Sequence, residues 1–392
     1  MKYKFLFPFL ISSLSLIFIS CEDEPSDIGI ELIAQDYLST RSFDSQVDSI
    51  AQNSSYFKNV IPLSGSSWIL IGKYQDIDAS ALLRFILGLA DSLKNDLLDD
   101  KINVLDSWIV LQNRYVYGDT LASMDFTAHK VNSYWSSSFT IDSLSKLDYD
   151  TEDISSALTI TDTTYTFNLD ETLILSWMKN AADNSLESNY GIYLQPSATS
   201  GKVVGFEALT ATSSIAAKLY VVIEKSGVYT DTLNGFIISD ISLVNGSLPT
   251  LPAGTIGVQS SIAVNSKISF DISVLPKGIV INFAELILTK ETVNSKSGSA
   301  YTNSLRAYYL TYSDSLKTEG SSVTLSFSNN KYSGNITGFL RSWIDNDENN
   351  GILIQSGNQF DGLELFSIYG SDAQNLSDRP RLRVTYTIKE NL

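Results

Sequence analysis

Residues 281–288 read Ile-Asn-Phe-Ala-Glu-Leu-Ile-Leu, and their order decides the fold class. Ala284, Leu286 and Leu288 alternate with Phe283, Glu285 and Ile287, so the two sets of side chains face opposite ways, as in a strand. Leu305, Ala307 and Tyr309 alternate in the same manner with Arg306, Tyr308 and Leu310. The composition agrees: Tyr 20, Phe 18 and Pro 8, with 43% hydrophobic and 18% charged residues. Branched and aromatic side chains suit a pleated, half-buried surface, and a chain this apolar can build a core. At 392 residues it is long enough for two.

The stretch is one landmark of an internal repeat. Its counterpart is Val104–Leu111, VLDSWIVL, preceded by Ser80–Phe85 as Ile281–Leu288 is preceded by Ile268–Phe270. Met124–Val131 then matches Ser304–Leu310, and Thr166–Trp177 matches Asn335–Trp343. Each copy closes with an Asn-x-Gly strand start (Asn189–Leu194 and Asn349–Ile354), a short run before Glu (Val204–Glu207 and Gly362–Phe366) and a final strand (Ala217–Val222 and Pro380–Tyr386). The offset is 166 residues from Trp177 to Trp343 and 160 from Gly191 to Gly351. Ile336, Phe339, Leu340 and Trp343, like Leu173, Trp177 and Met178, recur at helical spacing.

These readings predict an all-β protein of two tandem antiparallel β-sandwich (jelly-roll-like) domains with short helical caps. The expected divisions are a signal peptide over 1–20, a lipid-anchored tether over 21–44, a first domain over 45–227 and a second over 228–392. The boundary is placed near Glu224–Thr232, and Asn245–Gly257, with Pro249, Pro252 and Gly254, reads as a loop inside the second domain.

The first residues carry an address. Met1-Lys2-Tyr3-Lys4 is basic, and the apolar run Phe5–Ile19 has 15 residues, short of the roughly 20 that span a bilayer. It reads as a signal peptide with Ser20 before the cleavage point. Cys21, the chain's only cysteine, stands where a bacterial lipoprotein signal places its acylated residue, although Phe18 departs from the usual Leu. Glu22-Asp23-Glu24 resembles the export signal of surface lipoproteins in Bacteroidetes-type bacteria, which implies an outer-membrane, outward-facing protein held at the membrane only by lipid. The formal net charge of -17 repels phosphate backbones and excludes nucleic acid as a natural partner.

The segment Ser377–Tyr386 (SDRPRLRVTY), with Trp177 and Trp343 near helix ends and the Asn-x-Gly strand starts, resembles the DNRLRE-type β-sandwich family. Ser26–Ile33, Leu70–Tyr74 and Tyr117–Asp119 are similar to a family of uncharacterised Bacteroidetes surface lipoproteins. The resemblance implies either carbohydrate binding or a place beside polysaccharide-degrading domains, as for some modules of that type, and it carries over no catalytic residue.

His129 is the only histidine, which removes Ser-His-Asp, Cys-His and multi-histidine zinc chemistry; on its predicted strand it reads as a hydrogen-bonded structural residue. Carboxylate-pair hydrolysis stays open, since 44 acids offer many pairs. Asp345, Asp347 and Asn349 present oxygen donors at alternating positions, which suits a hard cation such as Ca2+, though neither the glycine position nor the closing residue fits an EF-hand. No cofactor is otherwise implied. For glycan binding, the aromatic candidates are Tyr115 and Tyr117 before Gly118-Asp119, and Tyr308 and Tyr312 beside Arg306. The leading expectation is a non-catalytic surface lipoprotein that binds extracellular polysaccharide or mediates adhesion. The alternatives are a structural or assembly subunit of an outer-membrane complex, with a protein partner there, and a carboxylate-dependent glycan-cleaving enzyme.

Overall fold

A computed structural model describes residues 37–209, 215–312, 316–346 and 349–390. It is mostly β. In chain order the strands are β1 (Tyr37–Asp44), β2 (Gln52–Lys58), β3 (Trp68–Tyr74), β4 (Ile77–Leu87), β5 (Asn103–Gly118), β6 (Phe126–Lys130), β7 (Ser155–Ile160), β8 (Thr164–Leu169), β9 (Ile192–Pro196), β10 (Lys202–Glu207) and β11 (Lys218–Lys225). They continue with β12 (Tyr229–Asn245), β13 (Thr255–Gln259), β14 (Val264–Phe270), β15 (Val280–Lys296), β16 (Ser304–Leu310), β17 (Thr318–Ser328), β18 (Lys331–Asn335), β19 (Ile352–Ser356), β20 (Leu365–Tyr369) and β21 (Arg381–Glu390). Three helices are described: α1 (Asp91–Leu98), α2 (Glu171–Ala182) and α3 (Thr337–Asn346).

The strands form two antiparallel sheets. One runs β10-β3-β4-β12-β11-β5-β8-β7, with β9 on β4 and β6 on β9, and β10 pairs back onto β5. The other runs β1-β21-β15-β18-β17-β16-β19-β14-β13-β20, and a β15–β20 pairing closes it into an eight-stranded barrel. The closure rests on the length of β15: its first half pairs with β18 and β21, and its far end, from Lys290 to Lys296, pairs with β20 through an irregularity between Glu291 and Lys296. β5 does the same with β8, β11 and β10. Each sheet wraps its own apolar core, and helices cover an end: α1 with Leu93 and Leu97, and α2, pack on the N-terminal core, α3 on the C-terminal one. Trp177 and Met178 of α2 enter one core, Phe339, Leu340 and Trp343 of α3 the other. The helical spacing read from the sequence is therefore a packing stripe.

The pairing does not divide the chain at 227/228. Lys225 faces Tyr229 across a tight turn in which Gly227 takes φ 71°, so the expected boundary is the tip of a hairpin. β12, expected to open the second domain, joins β11 and β4 in the N-terminal sheet. Conversely β1, expected in the tether, pairs with β21, and β2 pairs with β14, both in the C-terminal sheet. Asn245–Gly257 begins at the end of β12 and ends inside β13, so it links the two sheets instead of looping within one. Each half thus completes its sheet with strands that lie, in sequence, at the start of the other. β12 alone fills in one sheet the places that β1 and β2 fill in the other. Arg381 clamps β1 by pairing with the Asp44 carboxylate, and Phe43 enters the C-terminal core.

Candidate functional site

The join between the halves holds two of the residues expected to bind glycan. Tyr115 is 0% and Tyr117 3% exposed, within a shared apolar cluster with Leu70, Val203, Val264 and Leu363. The Tyr115 ring stacks on Trp68 at 4.6 Å and 13°. Its hydroxyl donates to Glu364 Oε1 at 2.8 Å and accepts from the Leu363 N–H at 2.8 Å. Ser67 N–H donates to Asp361 Oδ1 at 2.6 Å, and Val116 exchanges two bonds with Ser299. Burial raises the Glu364 carboxyl above its ordinary range, and burial also raises both tyrosine hydroxyls. A ring with no open face cannot stack on a sugar, so Tyr115 and Tyr117 are interface residues. Period-two alternation cannot reveal this, because what covers the face is a distant segment, 361–364.

Arg306 is exposed and Tyr308 half-buried on the outward face of β16, opposite Gln355 and Leu353. Tyr312, 51% exposed, lies beyond the end of β16, with the Lys317 ammonium 5.6 Å from its ring centre. The β16–β17 register shifts between Ala307 and Tyr309, while Arg306 and Tyr308 stay in unbroken register with β19.

Asp345 is exposed on α3, and Asp347 lies outside the described residues. Asn349 is fully engaged: its Nδ2 donates to Phe270 O at 2.6 Å and its Oδ1 accepts from the Gly351 N–H at 3.2 Å. Asn189 makes the same two bonds, to Phe85 O and from Gly191 N–H, both at 2.9 Å. The Asn-x-Gly pattern is therefore a strand-start clamp present in both copies, and the Asn349 Oδ1 expected to meet a cation accepts a backbone N–H. Among the described residues no cluster of three His, Cys, Asp or Glu is placed to hold a metal. His129 is buried between Tyr149 and Tyr193, with Nδ1 against Glu152 O at 2.9 Å and Nε2 against Thr127 Oγ1 at 2.8 Å. It has the structural role expected of it. Cys21 and Glu22-Asp23-Glu24 lie outside the described residues.

A cleft lies elsewhere, at the end of the C-terminal core beneath α3. It encloses about 850 Å³ between the start of β2, the end of β14, the loop Asp271–Gly278 and α3. Phe270, Ile272 and Leu275 give it apolar wall; Gln52, Asn53, Asp271 and Ser273 give it polar wall. Hydrogen bonds from Ser273 hold the Asp271 carboxyl below its usual range, so it is charged at neutral pH. Two polar atoms of the lining are buried without a hydrogen-bond partner: the Trp343 indole N–H and the Gln52 Oε1. Trp343 is 1% exposed. One atom is a donor and the other an acceptor, and each unmet group costs on the order of 1–3 kcal/mol.

Gln52 is invisible to sequence reasoning, because it reaches this cleft only through the β2–β14 pairing, opposite Phe270. Trp343 was legible as a core anchor, and its unmet N–H was not. The N-terminal half repeats the frame: Phe85, Trp177 and Asn189 line a smaller cleft of about 320 Å³ beside Arg84 and Ile238. No protein-family model, curated protein or solved structure matches the chain.

Proposed function

We propose that this protein is a non-catalytic surface lipoprotein whose two halves are DNRLRE-like sandwiches, acylated at Cys21 and facing outward, and that the cleft beneath α3 takes part of a neutral polysaccharide. The carrying observation is the pair of unmet polar atoms, Trp343 Nε1 and Gln52 Oε1, in one cleft. A sugar hydroxyl both donates and accepts, so adjacent hydroxyls answer both atoms. The C–H face of the ring suits the Phe270, Ile272 and Leu275 wall, and Asp271 accepts from a further hydroxyl. Because neither atom is open to bulk water, a ligand engages them only by parting the lining. Asp271–Gly278, which contains no strand or helix, is the segment that can yield.

A glycan array probed with the chain from residue 22 tests the reading, followed by titration of each hit. Trp343→Phe keeps an aromatic ring, though a smaller one, and deletes the donor; Gln52→Met keeps the length and deletes the acceptor. Each is expected to weaken binding by about tenfold, the loss of one hydrogen bond to a buried partner, with melting temperature as the check on folding. Silence across the array, or both variants binding as the parent does, sinks the proposal and favours the assembly-subunit alternative. Product analysis on a bound glycan tests the non-catalytic part, which predicts an intact ligand.

A further inference from the structure

The smaller cleft is lined by Arg84, which makes no ion pair with a carboxylate among the described residues. Arg84 sits on β4 opposite Ser239 of β12 and is half-buried. Its Nη2 donates to Ser239 Oγ over a long 3.3 Å, and its guanidinium carbon lies 5.7 Å from the centre of the Trp135 ring. Its Nε is buried with no hydrogen-bond acceptor. No carboxylate pairs with it among the described residues, whereas Lys130, Lys179, Lys225 and Arg381 each pair with an acid. The long bond to Ser239 and the Trp135 ring are the contacts of this half-buried guanidinium, and they leave its Nε–H without an acceptor among the described residues. Burying part of a charge is unfavourable unless the charge is paired.

The surroundings limit what the partner is. Beside Arg84 the cleft is walled by Ile86, Leu87, Trp177, Leu219 and Ile238. Outside it, Ile86 (47% exposed), Ile238 (42%) and Phe236 (59%) form an apolar rim, with Phe236 directly opposite Ile86 in the β4–β12 pairing. Asn189 is already spent on Phe85 O, and Asn180 Nδ2 bonds Leu186 O at 3.3 Å, so few groups remain for a ligand rich in hydroxyls. An apolar rim next to one unpaired fork of N–H donors fits an amphiphile with a single anionic head.

We infer that this cleft binds an amphiphilic carboxylate, of which a medium-chain fatty acid is the simplest. The carboxylate accepts from Arg84 Nε and a terminal nitrogen in the bidentate geometry that guanidinium favours, and the chain lies along Ile86, Ile238 and Phe236. The inference involves none of the residues of the α3 cleft, and it stands or falls separately from glycan binding.

The test uses the chain from residue 22 with octanoate as the probe, followed by calorimetry and by the Arg84 Nε–H resonance in a nitrogen-15 spectrum. Octanoate is expected to saturate one site and shift that resonance, and octanol to bind at least about tenfold more weakly. Arg84→Gln is expected to remove at least about tenfold of octanoate affinity. Arg84→Lys, which keeps the charge and the stem over Trp135 but not the fork, should fall between parent and Arg84→Gln. Absence of saturable binding, equal affinity for octanoate and octanol, or undiminished binding by either folded variant overturns the assignment.

Discussion

The two clefts sit at the same place in the two halves and differ in what lines them. Phe85, Trp177 and Asn189 on one side correspond to Phe270, Trp343 and Asn349 on the other. These residues pack cores or start strands, and they are the same residue types in both. The position on the exchanged strand differs: β2 brings Gln52 to one cleft and β12 brings Ile238 to the other. The charged groups differ as well, Asp271 against Arg84. The groups that hold the frame are therefore the same types in both clefts, while the groups set around them differ. Asn189 and Asn349 have both polar side-chain atoms occupied; Arg84 and Gln52, which differ between the clefts, each keep one unoccupied, as does the frame residue Trp343.

The most severe way to break the comparison is to remove the exchanged segment. A chain starting at residue 59 lacks β1 and β2, and although the cut is N-terminal, the damage should appear in the C-terminal sheet. β21 loses its only neighbour on one side, β14 loses β2, and the core loses Phe43. Hydrogen exchange should show protection collapsing in β14 and β21 while β4 and β11, flanked by β12, keep theirs. Collapse in β4 and β11 instead would mean that the strands are not exchanged in solution.

A narrower probe uses the two clamp glycines. Gly191 takes φ 84° and Gly351 φ 91°, a region that costs a residue with a Cβ roughly 1–3 kcal/mol. Strain alone would make the two alanine variants equal. They are not equal sterically: a Cβ at Gly191 would lie 2.0 Å from Leu83 O and 2.9 Å from the Arg84 Cα, whereas at Gly351 the nearest atom is Ile268 O at 2.9 Å. Gly351→Ala should therefore cost about 1–3 kcal/mol in urea denaturation. Gly191→Ala should exceed about 4 kcal/mol, because backbone must move. Equal losses would show that the two clamps tolerate crowding alike.

Much of the skeleton was legible in the sequence, and the reasons bound what was not. Alternation over Ile281–Leu288 and Ser304–Leu310 located β15 and β16, and helical spacing located α2 and α3, because periodicity reports which face of an element is buried. It does not report which strand pairs with which. Ser226-Gly227 reads equally well as a linker or a hairpin tip, and only the Lys225–Tyr229 pairing distinguishes them. The same limit hid the site. Tyr115 looked outward because nothing near it in sequence covers it, and Gln52, inside the expected first domain, gave no signal because its partner, Phe270, lies in the other half.

The join between the halves has no duplicate, which gives the comparison its finest test. Tyr115→Phe removes the hydroxyl that serves both Glu364 Oε1 and the Leu363 N–H, leaving two buried groups unmet, and should cost about 1–3 kcal/mol. Glu364 adds a pH signature whose sign is fixed. Burial raises its folded-state pKa above the ordinary 4.5, so between 4.5 and the folded value the native protein holds more protons than the unfolded chain. Stability contributed by this residue is then present in acid and declines as pH rises through that window. Asp44 acts in the opposite sense: its bond to Arg381 lowers its pKa below 3.8, and its contribution is lost as pH falls through that lowered value. The two windows do not overlap, so a difference measurement isolates Glu364. Glu364→Gln retains an oxygen for the Tyr115 hydroxyl and cannot ionise; its stability relative to the parent should grow as pH is raised from 4.5 toward neutrality and then level off. A difference independent of pH across that range would mean that the join opens enough to hydrate the carboxylate, and that the halves are less firmly locked than the exchanged strands imply.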